Sequence, residues 1–592
     1  MKYFKFLLVI AAGGALIHSC NKDFLDKNAL GKLEETDVAN KKGVEGLLIG
    51  AYSLLDGMGG NKGDVESAAS NWLYGSVCGS EAYVGSFVFG DLPVHHAVEK
   101  FNSGASDFPF ADKWGIVYDG IQRSNEVLRV MKKASDISAE DGERIAAEAR
   151  FLRAHYHFDA VKMWKNVPFV DETITYSAHN YHLSNDILIW PAIENDLVYA
   201  MENLKEDPYL GAVGRANKFT AMALLAKAYL FQKKFADAKP LLETIINSGR
   251  YHLVNYADNF NPATKNSDES IFAAQMSVND GSDGLNGNYG DFCNFPGTGQ
   301  GPGGCCGLFQ PSQYLVNHFK TNSGTGLPDP DNYNIEGEDV TSDQGLESTD
   351  PFTPYAGTLD PRLDWTVGRR GIPYLDWGEH PGKDWIVDQN LGGPYSPKKN
   401  VYYKSQEGVL TDLNFWSRGA TANNVNLIRF ADVLLWAAEV EAESGRFDKA
   451  EDYVNMIRDR MADHHEYWVH KYLDNTDPQA GSYTDDAHLA ANYKIEPYPP
   501  GYFTSRDVAL KAIRFERMLE LGMEGHRFFD LVRWGIAKAE IDTYLAKEKN
   551  LRTYLNDATF EDCNEVFPIP QMQIDLSAGV DGVRKLKQNP CY

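Results

Sequence analysis

Positive charge is what this chain has least of. Its 592 residues carry 57 Lys and Arg against 83 Asp and Glu, a net charge of −26. The basic field that draws phosphate backbones is missing, which argues against nucleic-acid binding and favours a neutral or cationic partner. Long apolar runs are scarce too. Beyond the first 17 residues no segment approaches the roughly 20 consecutive apolar residues that a membrane-spanning helix needs. Cysteine is sparse, at seven, and no two stand at C-x-x-C spacing, so structural zinc and a thioredoxin-type redox motif have no support. Neither G-x-S-x-G nor H-E-x-x-H occurs. Gly299-Gln300-Gly301-Pro302-Gly303-Gly304 satisfies G-x-G-x-x-G in form only, because a dinucleotide fingerprint needs a strand before it and a helix after it.

What is present points to a folded, exported protein. With 43% hydrophobic and 24% charged residues, the composition is that of an ordinary globular chain, and its length calls for more than one lobe. At the N-terminus, Lys2 and Lys5 precede an apolar stretch over residues 6–17 and then Leu16-Ile17-His18-Ser19-Cys20. A small residue before cysteine at the end of a short apolar stretch reads as a lipoprotein signal. Cys20 is then the acylated first residue and the only membrane anchor, although His18 departs from the small residue usual there. The other cysteines are Cys78, Cys293, Cys305, Cys306, Cys563 and Cys591. Adjacent Cys305 and Cys306, set among glycines, can close a strained eight-membered ring; pairing elsewhere, with Cys293 nearest, or two free thiols are the other readings.

Helical periodicity dominates two blocks, about 40–260 and 425–545. Residues 281–420 hold 23 of the 52 glycines and read as loops with short strands. The predicted organisation is a signal peptide over 1–19, a helical repeat region over 20–264, a loop-rich insertion over 265–424, and a helical region over 425–592 that completes the scaffold. Leu224, Ala226, Tyr229, Phe235, Ala238 and Leu242 follow tetratricopeptide spacing, and Leu434, Ala438, Phe447, Ala450 and Val454 repeat it. The expectation is a mainly α fold with about four such helix pairs.

Three segments carry a resemblance. Ala147-Glu148-Ala149-Arg150-Phe151-Leu152-Arg153-Ala154-His155-Tyr156 leads to Asn166-Val167-Pro168-Phe169. Arg514-Phe515-Glu516-Arg517-Met518-Leu519-Glu520-Leu521 leads to Glu524-Gly525-His526-Arg527-Phe528-Phe529-Asp530. Phe567-Pro568-Ile569-Pro570 is closed by Gln588-Asn589-Pro590. With the lipobox and Asp23-Phe24-Leu25, these resemble, in order and from end to end, the SusD/RagB family of Bacteroidetes surface lipoproteins. Where the family commonly has Gly, this tail has Cys591. The resemblance implies a SusD-like fold, a glycan ligand, a SusC-like TonB-dependent transporter as partner, and an outer-membrane, outward-facing location. Peptide binding is the alternative within the family, and glycoside hydrolysis the alternative from another class. Glu516 and Glu520, four residues apart beside Arg514 and Arg517, read as a structural ion network rather than a catalytic pair.

Sugar recognition asks for flat apolar faces ringed by a few polar groups. Two loops offer them. The early one contributes Trp72, Tyr74 and Tyr83 with Phe87 and Phe89, and Trp72 is its leading candidate. The insertion contributes Tyr289, Phe292, Phe295, Phe309, Trp365, Trp377, Trp385 and Tyr395, the Cys305-Cys306 pair, and Arg369 and Arg370 as hydroxyl donors. No cofactor is expected. Asp329, Asp331, Glu336, Glu338 and Asp339 could hold a structural calcium or form a solvated loop, and His464-His465-Glu466 reads as a solvated face.

Overall fold

The computed structural model describes residues 35–59, 64–86, 92–298, 301–478 and 485–592. Cys20 and its leader, Phe87, Phe89, Gly299 and Gln300 lie outside them. Helix α1 (Lys41–Tyr52) starts at Asn40, whose side chain accepts from the Gly43 amide. It is followed by α2 (Phe108–Met131), α3 (Ala139–Trp164), α4 (Trp190–Asn203), α5 (Lys218–Phe231), α6 (Phe235–Asn247), α7 (Phe430–Glu443) and α8 (Phe447–Ala462). Each of these packs on the next, including α6 on α7 across the long excursion between them. The succession makes four helix pairs, as the periodicity predicts. In α5, Asn217 and Thr220 cap each other's backbone reciprocally, and Ala221, Ala223, Ala226 and Ala228 are fully buried. Small side chains let the flanking helices close on it.

Strand β1 (Ala82–Gly85) pairs antiparallel with β3 (Leu308–Pro311). Strand β2 (Ser270–Ala274) pairs with β6 (Val425–Arg429), Ser270 facing Arg429 and Ala274 facing Val425. Strand β4 (Val367–Gly368) pairs with β5 (Ser396–Pro397). Because β2 and β6 lie side by side, the chain leaves and rejoins the helix array at one place, and the excursion interrupts the sequence without interrupting the packing.

Helix α9 (Arg506–Leu521) closes the array against α7 and α8, followed by α10 (Arg527–Trp534) and α11 (Ala537–Leu551). Glu516 and Glu520 on it, and Glu524 just after it, are buried or nearly so, and paired. Glu516 meets Arg362 at 2.7 Å and Arg458 at 2.9 Å. Glu520 meets Arg362 at 2.9 Å and both Arg429 and Arg460 at 2.6 Å. Glu524 meets Arg429 at 2.9 Å and Lys399 at 2.6 Å, while Asp360 and Glu269 each take a guanidinium at 2.7 Å. Five cations thus face five anions. The sequence reading of Glu516 and Glu520 as structural holds, but their partners are not Arg514 and Arg517: Arg517 pairs with Asp432 and Asp530, and Arg514 lies over the Trp534 ring.

The tail is fastened by chemistry as well as packing. Asn589 donates to the carbonyls of Trp164 and Phe567 at 3.0 and 2.8 Å, Gln588 pairs both ways with the Ile569 backbone, and Cys591 forms a disulfide with Cys563. The cysteine that departs from the family's usual glycine therefore has a structural role.

Burial by itself would raise the Glu520 carboxyl, but Arg460, Arg429 and Arg362 hold it well below its ordinary value. A carboxyl depressed in the folded state contributes stability that is complete above the unfolded value of about 4.3 and is lost as pH falls through the folded one. Glu520→Ala should therefore cost about 3–5 kcal/mol in urea unfolding at neutral pH, because three guanidiniums lose their shared anion. The difference from the parent should shrink on acidification, and a loss below about 1 kcal/mol would contradict the role assigned to the network.

Candidate functional site

The early aromatic segment is interior. Trp72–Val77 forms a π-helical turn whose residues are all buried. Trp72 is fully buried, donates its indole N–H to the Val65 carbonyl at 2.8 Å and packs on Phe309. Tyr74 donates to the Pro109 carbonyl at 2.9 Å, and the Tyr83 hydroxyl bonds Glu548. The glycines here serve close backbone approach. A Cβ on Gly75 would lie 1.9 Å from the Gly525 carbonyl oxygen, and one on Gly525 1.8 Å from that of Ser70. Trp72, Tyr74 and Tyr83 have no surface to offer a ligand.

Several insertion residues are also committed elsewhere. Arg369 is buried and holds Asp364 with two hydrogen bonds of 2.6 and 2.8 Å. Arg370 donates to the carbonyls of Ser348 and Asp350, strapping that loop down. Tyr395 is buried and donates to Gln313 at 3.0 Å. Half-buried Trp377 donates to the Tyr402 carbonyl at 3.0 Å beside a satellite core of Phe295, Tyr374, Trp385, Val401 and Tyr402. The acidic loop is not gathered either: Asp331 pairs with Lys511, and Asp339 pairs with Lys547 and accepts from Asn317. His464 and His465 are half-buried and Glu466 is exposed, each paired with a neighbouring group rather than gathered.

Cys305 and Cys306 do reach the surface, joined to each other in a disulfide and half-buried. Gly303, Gly304 and Gly307 around them, and Cys306 itself, have φ of +78°, +73°, +60° and +80°, so the loop needs the left-handed region that glycine occupies freely. A Cβ on Gly304 would lie 2.8 Å from the Arg418 guanidinium. That space brings the segment 415–418 against the disulfide loop, where the Ser417 hydroxyl donates to the Phe292 carbonyl at 3.2 Å.

This segment carries what the sequence reading missed. Trp416 is 66% exposed, yet its ring is backed edge-on by Phe292 at 5.0 Å. Phe415 packs on both Tyr289 and Phe292 at 5.4 Å. Arg418 and Glu407 pair at 3.2 Å with both side chains partly in water. Leu413, Val409 and Leu285 are exposed on the same group of loops, which Asn279 ties together by donating to the Val409 carbonyl at 3.1 Å. Beneath the disulfide, burial pushes the Cys293 thiol well above its ordinary value, which keeps it protonated. The result is a rigid apolar face with a charged pair beside it, fitted to stack on an uncharged ligand and to hydrogen-bond its hydroxyls.

A model described as the SusD family matches residues 268–592, more than half of the chain. The chain belongs to the SusD family. A second model, described as starch-binding associating with outer membrane, matches residues 23–230. A SusD-like protein P25 of Formosa agariphila is 27% identical over 430 residues, covering 72% of this chain and 70% of its own. Among solved structures, a SusD-like protein from Bacteroides fragilis superposes with TM-score 0.64 at 20% identity, over 95% of this chain and 99% of its own. A laminarin binding SusD-like protein does so with 0.58 at 21%, over 93% and 100%. Surface glycan-binding protein A from Bacteroides thetaiotaomicron, in complex with laminarihexaose, does so with 0.59 at 18%, over 93% and 99%. These structures share the fold of this SusD-family chain.

If Trp72 is core in this SusD-family protein, Trp72→Ala should destabilise it by about 3–5 kcal/mol. Denaturant unfolding measures this; a loss under about 1 kcal/mol would mean that the indole is not packed.

Proposed function

We propose that this chain is a cell-surface glycan-binding lipoprotein, anchored through Cys20, that captures oligosaccharides and passes them to a TonB-dependent outer-membrane transporter. The observation that carries the binding reading is the exposed but rigidly backed Trp416 beside the Cys305–Cys306 disulfide and the Arg418–Glu407 pair. A pre-positioned indole loses little freedom on stacking against a sugar ring, and a disulfide is an equally stiff apolar face. The laminarin and laminarihexaose named for structural neighbours support a glycan over a peptide. Binding without catalysis is part of the same reading. Hydrolysis needs two carboxyls flanking a bond, whereas Glu407 beside this face is paired with Arg418, and Glu516 and Glu520 are sealed in the ion network.

Stacking on one aromatic contributes roughly 1–3 kcal/mol by analogy with base stacking. Trp416→Ala should therefore weaken binding at least about tenfold with little change in Tm. Calorimetry against a polysaccharide panel that includes laminarin tests this. Unchanged affinity for a confirmed ligand would remove this surface from the site, and new reducing ends released by purified protein would make the chain an enzyme.

The anchor is tested separately. Cys20→Ala should move the protein from the membrane to the soluble fraction, and retention in the membrane would refute lipidation at Cys20.

A further inference from the structure

A cavity of about 70 Å³ lies between α2, α3, α5, β6 and the start of α10. Its walls are largely apolar, with Leu54, Phe158 and Phe529 among them; the cations Lys113, Lys162, Lys227 and Arg517 line it, and so do the carboxylates of Asp159, Asp530 and Glu524, the last already held by Arg429 and Lys399. We propose that this cavity binds a small monovalent anion of halide size, with the Lys227 ammonium as its principal contact and Lys162 and His526 beside it.

The argument is one of charge balance. Lys113 and Lys162 share a single carboxylate, Asp159, at 2.9 and 2.5 Å. Arg517 and Arg533 are taken up by Asp432, Asp530 and Glu439. Lys227 has no hydrogen bond or ion pair among the described residues; its ammonium lies 5.5 Å from the Trp436 ring centre and 6.0 Å from that of Phe158. The five cations Lys113, Lys162, Lys227, Arg517 and Arg533 therefore face the four anions Asp159, Asp432, Asp530 and Glu439, whereas the neighbouring network on α9 is balanced. Lys227 is half-buried, and a charge without a partner is still costly against a largely apolar wall. Burial accordingly pulls Lys227 down to about 8, and it lowers Lys162 despite Asp159. His526 adds a donor without adding charge. Burial keeps its imidazole neutral, and its Nε2 is buried without a hydrogen-bond partner, 3.7 Å from Asp432. The volume holds a few waters or one halide.

Two measurements decide the matter. Crystals of the unmodified protein grown in sodium gluconate and soaked in sodium bromide should show an anomalous bromine peak in the cavity, next to Lys227 Nζ. In solution, sodium chloride should raise Tm saturably over sodium gluconate at equal ionic strength, by about 2 °C at a hundredfold the Kd. Lys227→Met should remove that chloride-specific increment. An empty or water-filled cavity at saturating bromide overturns the proposal. So does a peak accompanied by identical Tm values in the two salts, which would mean binding at crystal concentration only.

Discussion

Glu520 sits where three arginines from different parts of the chain converge, and the architecture depends on that convergence. Arg429 ends β6, Arg460 lies on α8, and Arg362 comes from the middle of the insertion. Hydrophobic packing alone would leave the insertion free to slide on the helices, since apolar contact is non-directional. Guanidinium and carboxylate groups buried with matched number and bidentate geometry permit one arrangement, because any slip leaves a charge unpaired in a dry interior. The network thus acts as a device for register: it fixes where 275–424 sits relative to α8 and α9.

The same need for fixed placement explains the glycines. Gly75 and Gly525 bring two backbones together at a distance no side chain permits, which draws the Trp72–Val77 turn against the residues that follow α9. Strand β1 then reaches β3 in the insertion. Early segment, insertion and C-terminal helices are joined through backbone contact and ion pairs.

The helical frame was legible because repeated spacing of small and aromatic residues, such as Ala226, Tyr229 and Ala238, encodes helix approach directly. The structural role of Glu516 and Glu520 was legible too, from acids at helical spacing beside arginines. Their partners were not, since Arg362 and Arg429 are distant in sequence and only the tertiary fold brings them in. The burial of the early aromatics was hidden for a related reason. Residue type shows that Trp72 is aromatic but not whether glycines beside it open a loop or permit close packing, and the outcome depends on Gly525, some 450 residues away. The local signal for Trp416 lay in Asn414-Phe415-Trp416-Ser417-Arg418-Gly419, two aromatics with no periodic apolar neighbours to bury them.

That contrast separates two uses of aromatic side chains in one chain. Trp72, Trp164 and Trp436 are enclosed, and the indole N–H of each of the first two is satisfied by a backbone carbonyl. Trp416 is mostly in water, but it is no loose surface residue, because Phe292 and Phe415 hold it and the neighbouring loop is stiffened by a disulfide between adjacent residues. An exposed indole on a mobile loop would lose on ordering much of what stacking contributes. The loops at 285–298, 301–308 and 407–419 avoid that loss by being cross-braced, and the braces rest on an insertion whose position the buried charges of Glu516 and Glu520 already determine.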